Sequence, residues 1–305
     1  MRALLVVNPQ ATSTTPAGRD VLAHALASAV KLEVVETHYR GHAADTARHA
    51  VTDGVDLVVA HGGDGTVNEV VNGLLRDGAG EHVPMLGVVP GGSANVFARA
   101  LGLPRDPVEA THHLLKAIEA GRSRQVGLGR AAGRWFTFNA GLGWDADVVA
   151  EVERRRSTGW RPSPTGYART ALSSYSRQLR EKTAMTVELP GQEPITGLRL
   201  VFVSNTDPWT YLGPRPIRLN PHCTFDGGLG LFGLRQLGLP TVLRHLGQVF
   251  RDVSPHGGNL VRRDDVEWVR VSCEQPVHLQ IDGDHLGQWS EVEFLAVPNA
   301  LRVAV

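Results

Sequence analysis

Apolar and polar positions follow two different rhythms along the chain. Through about the first 125 residues, short apolar runs read as strands: Ala3–Val7, Leu32–Glu36, Asp56–Ala60 and Met85–Val89. Helical patterns lie between them, over Val21–Val30, Ala43–Val51 and Val108–Ala120. Val67, Val70, Val71, Leu74 and Leu75 also recur at helical spacing, and a further helix opens near Asn95. This regular alternation predicts a parallel sheet with helices on both faces, a three-layer α/β/α domain.

After Gly121 the rhythm changes. Strand patterns dominate: Trp135–Ala140, Ala184–Leu189, Leu198–Ser204, Leu229–Arg235, Val266–Ser272, Val277–Ile281 and Val292–Ala296. Helical stretches interrupt them at Val148–Arg156, Tyr167–Arg180 and Thr241–Phe250, and Ser157–Thr165 reads as a loop. Many short strands separated by Gly and Pro predict a second domain built as an antiparallel β-sandwich. The division is an N-terminal α/β domain over residues 1–127 and a β-rich domain over 128–290. The last strand, about 291–305, is free to return to the first domain.

Composition narrows this picture. A chain of 305 residues is long for one core, and 42% hydrophobic with 20% charged residues is ordinary for a soluble globular protein. The 31 basic and 31 acidic residues leave no net charge, so nothing draws the whole protein to nucleic acid. Cys223 and Cys273 cannot make a disulfide framework, and no apolar run is long enough to span a bilayer. The expected location is cytoplasmic. The stretch Glu151–Lys182 holds eight basic and three acidic residues, with Tyr167, Ala171, Leu172, Tyr175 and Leu179 at roughly helical spacing. It suits either a solvated helix or peripheral contact with the inner face of a membrane.

The candidate chemistry lies in glycine-rich turns. His61-Gly62-Gly63-Asp64-Gly65-Thr66-Val67-Asn68-Glu69 joins a buried strand to a helix. Such a turn lets backbone N–H groups and a helix N-terminus face a phosphate. Asp64 within it suits a metal ligand or a proton acceptor. Pro90-Gly91-Gly92-Ser93-Ala94-Asn95 repeats the arrangement after the next strand, and Asn8-Pro9-Gln10-Ala11-Thr12-Ser13 follows the first. Ser93 and Asn95 either cap a helix or reach a phosphate. Three such loops at one edge of a parallel sheet face a common crevice. Neither glycine turn is a Walker loop or a dinucleotide fingerprint.

Gly62-Gly63-Asp64-Gly65-Thr66, then Pro90–Asn95 with Phe97-Ala98-Arg99, resembles the diacylglycerol kinase family in its soluble bacterial branch, which is related to sphingosine kinases. The resemblance continues through Gly141-Leu142-Gly143-Trp144-Asp145-Ala146 and Asp226-Gly227-Gly228-Leu229 to Asp282-Gly283-Asp284, in the family's order. It implies an ATP-dependent lipid kinase with ATP held between the two domains. Asn8, Pro9, Thr37, Gly62, Gly63, Asp64, Gly65, Thr66, Asn68, Glu69, Gly92, Ser93 and Asn95 become nucleotide-site candidates. Ser93 stands where the family has Thr, and Val96 where it commonly has Asp.

The resemblance also implies Mg2+. An aspartate and two main-chain carbonyls form the family's structural magnesium site, which falls here on Asp226, Cys223 and Gly228. A plain Asp-Gly turn explains the same residues. The Asp282-Gly283-Asp284 segment matches an Asp-Gly-Glu element whose last acid is the family's general base. That acid is here the shorter Asp284, with Asp282 and Asp64 as competing candidates. The implied partner is a lipid alcohol such as diacylglycerol, and a homodimer is compatible. Two alternatives remain open. An NAD kinase-like enzyme shares the Gly-Gly-Asp-Gly-Thr turn, and a catalytically silent lipid- or nucleotide-binding regulator would tolerate the shortened acid.

Overall fold

Only Arg2 is exposed in the first strand, Arg2–Val7 (β1), and a strand buried along its length must be covered on both faces. The structure is a computed structural model that describes residues 1–156, 184–250 and 253–305. The expected loop Ser157–Thr165 and helix Tyr167–Arg180 lie outside the described residues. The chain forms two compact units. The first comprises Met1–Leu128, Thr210–Arg215 and Val297–Val305; the second comprises Gly129–Trp209 and Pro216–Ala296.

In the first unit β1 is flanked by Lys31–Glu36 (β2) and Leu57–Gly62 (β3), and Met85–Pro90 (β4) follows β3. All four strands run parallel in the order β4-β3-β1-β2. Val7 pairs with both His61 and Glu36, and His61 pairs with Val89, so the C-terminal ends of the strands are level. The helices are Pro16–Ala27 (α1), His42–Thr52 (α2), Asp64–Leu74 (α3), Val96–Ala100 (α4) and Pro107–Glu119 (α5). Helix α1 packs on α5, and α2 packs on α3. Leu22 and Leu26 of α1 and Leu114 and Ala117 of α5 share one core with Leu5, Val7, Leu57 and Val59 of the sheet. Truncating one of these, as in Leu57→Ala, costs about 2–5 kcal/mol. On α3, a Cβ added at Gly73 would lie 2.2 Å from the Ala44 carbonyl oxygen, so glycine sets how closely α2 approaches.

The second unit is built mainly from antiparallel strands. Leu260–Val266 (β14), Leu229–Leu234 (β13), Leu200–Ser204 (β10), Asn139–Gly143 (β7) and Trp268–Ile281 (β15) succeed one another. They are followed by Asp284–Val303 (β16), whose final residues from Val297 group with the first unit, where Val303 pairs with Leu86. The early half of β15 also pairs with Met185–Glu188 (β8), which pairs with Ile195–Leu198 (β9). One long strand thus serves two layers around Leu142, Val187, Val203, Leu231, Val271, Leu279 and Phe294. Helix α6 is Trp144–Arg156, and helix α7 is Leu239–Phe250. Among the described residues no helix is long and apolar enough to cross a membrane.

Three elements differ from the pattern-based expectation. Trp135–Ala140 is not one strand. It breaks between Arg134–Phe136 (β6) and β7, because the N–H groups of Thr137, Phe138 and Asn139 turn to a carboxylate instead of a ladder. Val266–Ser272 and Val277–Ile281 are not separate strands: β15 is continuous, with a register shift between Ser272 and Val277. Arg124–Ala131 (β5), where the pattern puts a domain boundary, is itself a strand.

Candidate functional site

The level C-terminal ends of β1, β3 and β4 bring three loops together within the first unit. The Asn8 N–H donates to the His61 carbonyl (2.9 Å), its side-chain amide donates to Thr66 Oγ1 (3.0 Å), and its Oδ1 accepts from the Gln10 N–H (2.9 Å). Asn8 therefore fastens the first loop to the glycine turn. The Gly91 N–H donates to the Gly62 carbonyl at 2.7 Å, and the Ser13 N–H to the Gly91 carbonyl at 2.8 Å. At the crossing of the two glycine turns, a Cβ at Gly92 would lie 2.6 Å from the Gly63 Cα, and one at Gly62 would lie 2.6 Å from Thr66 Oγ1. Glycine is required at 92 by close approach of backbone to backbone, and at 62 by the Thr66 side chain packed against it.

Gly63 caps α3 and Asp64 is its first residue, where a carboxylate complements the helix dipole. Asp64 Oδ1 also accepts from the Phe97 N–H at 3.3 Å, which joins the two turns a second time. Asn95 takes a left-handed conformation (φ 48°) and closes the second turn on itself: Oδ1 accepts from the Gly92 N–H (2.9 Å) and Nδ2 donates to the Gly92 carbonyl (2.7 Å). The helix that follows, α4, has only five residues.

A cleft of about 530 Å³ opens beside these loops, lined by Asn8, Pro9, Thr37, Gly65, Thr66 and Glu69 among others. Glu69 Oε1 accepts from the N–H of Gly41, the residue before α2, at 3.0 Å. Tyr39 rims the cleft and stacks on His42, with ring centroids 4.6 Å apart. Gly65 is exposed, and a Cβ there meets nothing within 4 Å. Ser93 is exposed on the second turn, whereas Asn68 is fully buried and receives the Asn72 side-chain amide (3.1 Å). On the opposite face of β3, His61 is 2% exposed between Thr14 Oγ1 (3.3 Å) and the Val89 carbonyl (3.2 Å), and burial pushes its pKa down.

The late Asp-Gly elements belong to the second unit. Asp282 (φ 47°) and Gly283 (φ 83°) form the two-residue turn between β15 and β16, closed by the Ile281–Asp284 pair. The Asp282 carboxylate is buried and accepts from the Thr137 N–H and hydroxyl, the Phe138 N–H and the Asn139 N–H. Burial pushes its pKa up against the pull of these four donors. As a proton acceptor it is poorly placed, because both oxygens are engaged inside the fold. Asp284, two residues on, is half-buried and ion-paired with Arg134.

The donors that the Asp226 turn offers are of the kind that Mg2+ takes. Asp226 is exposed, the Cys223 carbonyl faces the Asp207 N–H (3.1 Å), and Asp265 Oδ1 accepts from the Gly228 N–H (2.7 Å). The Cys223 thiol is pushed up to about 12 by burial, so that residue offers its carbonyl oxygen and not a thiolate. An oxygen-only set with a carboxylate fits a hard divalent cation. Among the described residues no group of three or more His, Cys, Asp or Glu side chains gathers as a metal cluster.

Several participants escaped the sequence pattern. Arg134, Asp265 and Tyr39 carry no motif and are set beside the candidates only by folding. Arg99, by contrast, sits within a quoted motif. Its guanidinium lies 3.1 Å from the Tyr211 ring centroid and donates to the Gly213 and Pro214 carbonyls (3.1 and 3.2 Å), which holds the 210–215 excursion in the first unit.

Residues 2–131 match the diacylglycerol kinase catalytic domain family. A protein of Stenotrophomonas maltophilia named as a YegS-like lipid kinase is 41% identical over 301 residues, covering 93% of this chain and 90% of that one. The diacylglycerol kinase of Bacillus subtilis is 39% identical over 121 residues, 39% of this chain and 37% of that one. Among solved structures, a diacylglycerol kinase from Bacillus anthracis superposes with a TM-score of 0.72 at 22% identity, covering 99% of this chain and 96% of that one. An NAD kinase from Archaeoglobus fulgidus in complex with ATP gives 0.54 at 12% identity, covering 100% of this chain and 94% of that one, so the two share a fold. With most of both chains aligned to a lipid kinase and the catalytic-domain match falling on the glycine turns, the chain belongs to the diacylglycerol kinase-type family of lipid kinases.

Proposed function

We propose that the protein transfers the γ-phosphate of ATP to the hydroxyl of a membrane lipid, with diacylglycerol as the first acceptor to test and phosphatidic acid as the product. The observation that carries this reading is the convergence of three backbone loops, joined through Asn8–Thr66, Gly91–Gly62 and Phe97–Asp64, beside a cleft that the first loop and the first glycine turn line. Backbone N–H groups at Gly63 and Gly65, with the Thr66 and Ser93 hydroxyls, receive the phosphates, and Gly92 lets the second turn approach them closely. Asn8, Pro9, Thr37 and Glu69 shape the nucleoside side, and Asn68 and Asn95 brace the turns from behind.

In the reaction the lipid hydroxyl oxygen forms a bond to the γ-phosphorus while the bond to the β,γ-bridging oxygen breaks and ADP leaves. The hydroxyl proton passes to Asp284. Asp282 is a structural anchor in this reading, given its four internal donors. Mg2+ bound with ATP would offset phosphate charge, and Asp64 would hold it on the protein side. A second Mg2+ held by Asp226 and the Cys223 and Gly228 carbonyls would stiffen its turn. The enzyme meets its lipid by peripheral contact with a membrane.

Radiolabelled phosphate transfer from Mg-ATP to diacylglycerol, monoacylglycerol, a sphingoid base and NAD tests this. Labelled lipid lost in Asp64→Ala and in Asp284→Ala is the expected result. Activity surviving both substitutions overturns the site assignment, label on NAD alone overturns the lipid reading, and no transfer despite ATP binding favours a silent regulator.

A further inference from the structure

Tyr39 is 58% exposed, but its ring is held at several points. It lies on the segment between β2 and α2, and that segment is fastened at both ends. The Thr37 N–H donates to the Val7 carbonyl (2.8 Å), and the Gly41 N–H donates to Glu69 Oε1 (3.0 Å). Between these ties the His42 N–H donates to the Tyr39 carbonyl at 3.1 Å, in a turn that Gly41 completes at φ 93°. The turn lays two rings together: Tyr39 and His42 are 14° from parallel, with centroids 4.6 Å apart. His38 stacks on His42 as well, at 5.5 Å between centroids, and its N–H donates to His42 Nδ1 at 3.1 Å. The Tyr39 hydroxyl donates to Asp45 Oδ2, also at 3.1 Å, and so stops the ring from swinging.

An imidazole therefore backs one face of the phenol ring, and a hydrogen bond fixes its tip. Much of the ring stays open, and Tyr39 lines the cleft of about 530 Å³ together with Gly65 and Thr66. One cavity thus has a helix N-terminus at one border and an exposed aromatic plane at another. Phosphate groups suit the first, a flat heteroaromatic base suits the second, and a nucleotide carries both. A lipid chain is the poorer occupant, because Asn8, Gln10, Thr37, Arg40 and Glu69 line the same cleft. An aromatic ring ordered before binding loses little freedom when a base stacks on it, which favours affinity.

We infer that Tyr39, backed by His42 and pinned by Asp45, is the platform on which the nucleobase of the phosphate donor stacks. Because a purine overlaps the ring more fully than a pyrimidine does, the platform favours purine nucleotides and does not separate adenine from guanine. The inference rests on the nucleotide part of the reading above and is independent of which acceptor is phosphorylated.

Calorimetric titration with Mg-ATP, Mg-GTP, Mg-CTP and Mg-tripolyphosphate tests it. Wild-type protein should bind the two purine nucleotides more tightly than CTP, and CTP more tightly than tripolyphosphate. Tyr39→Ala should weaken ATP and GTP binding about five- to fiftyfold and leave tripolyphosphate within about twofold. Tyr39→Phe keeps the ring and its contact with His42, so it should recover most of the affinity for ATP. Since Tyr39 is exposed, the alanine variant should melt close to the wild-type temperature.

Unchanged ATP affinity in Tyr39→Ala overturns the platform. Equal weakening of ATP and tripolyphosphate overturns it too, because the residue would then only shape the loop. A wild-type protein that takes up none of the four ligands overturns the platform together with the nucleotide site. Tyr39-dependent ATP binding in a protein that phosphorylates no lipid supports the platform and removes the lipid-kinase reading instead.

Discussion

Thr137 gives Asp282 both its backbone N–H, at 2.6 Å, and its hydroxyl, at 2.7 Å, to the same carboxylate oxygen. The other oxygen takes the next two N–H groups, each at 3.1 Å. A single side chain in a hairpin turn thereby ends one strand and starts another some 140 residues earlier in the chain.

Replacing Asp282 by Asn removes the charge and puts an NH2 group where N–H donors already point. At a buried site with four donors this should destabilise the second unit by about 2–4 kcal/mol. Urea denaturation followed by fluorescence measures it. A change under about 0.5 kcal/mol would contradict the anchoring role.

Two glycines of the crossing turns should respond in opposite ways. Gly92→Ala places a methyl group 2.6 Å from the Gly63 Cα, where only backbone can yield, and should cost on the order of 1–3 kcal/mol. Gly65→Ala meets nothing within 4 Å and sits in the first turn of α3, so it should stabilise the fold by roughly 0.5–1 kcal/mol. Its methyl group nevertheless stands where a phosphate would approach, so the KM for ATP should rise. Melting curves with and without Mg-ATP separate the two effects. A Gly65→Ala protein with wild-type KM would place the phosphates elsewhere.

Much of this arrangement was legible in the residue pattern, and the reason differs between the units. In the first, each strand is fully buried or clearly an edge, and each glycine turn sits between a strand and a helix, so local signals suffice. Gly63, Gly91 and Gly92 are there because backbones cross, Gly62 because the Thr66 side chain packs against it, and a run of glycines after a strand announces such close approach. The second unit is set by partners far apart in sequence. Nothing near Thr137 shows that its N–H serves Asp282, and nothing near Arg134 shows that it pairs with Asp284. The Asp282-Gly283 dipeptide reads as a turn and is one, while its second duty appears only in the fold.

Asp284 provides the sharpest test of the proposed chemistry. Asp284→Asn keeps shape and hydrogen bonding but cannot accept a proton, so kcat should fall about 10²- to 10⁴-fold with little change in ATP affinity. Asp284→Glu restores the acid length of the family element and should retain far more turnover than Asn. Steady-state kinetics on both variants decides. Equal loss in the two would make the Arg134–Asp284 pair a structural contact.

His61 ties the strands that carry the glycine turns to the pH of the medium. Burial depresses its pKa below the ordinary 6.5, so the folded protein keeps the imidazole neutral while the unfolded chain takes up a proton first. The stability associated with a neutral His61 is therefore fully present above about pH 6.5 and is lost as pH falls from there toward the folded-state value. The slope over that window approaches about 1.4 kcal/mol per pH unit where only the unfolded state is protonated. Protonation inside the fold would leave the ring with two donors between a threonine hydroxyl and the Val89 carbonyl, in apolar surroundings that solvate the charge poorly. Denaturation midpoints of wild type and His61→Leu at pH 7.5 and pH 5 read this directly. The variant should be less stable at pH 7.5, where it lacks both hydrogen bonds, and should lose less stability on acidification than wild type. Parallel losses in the two proteins would mean that the acid sensitivity arises at other groups.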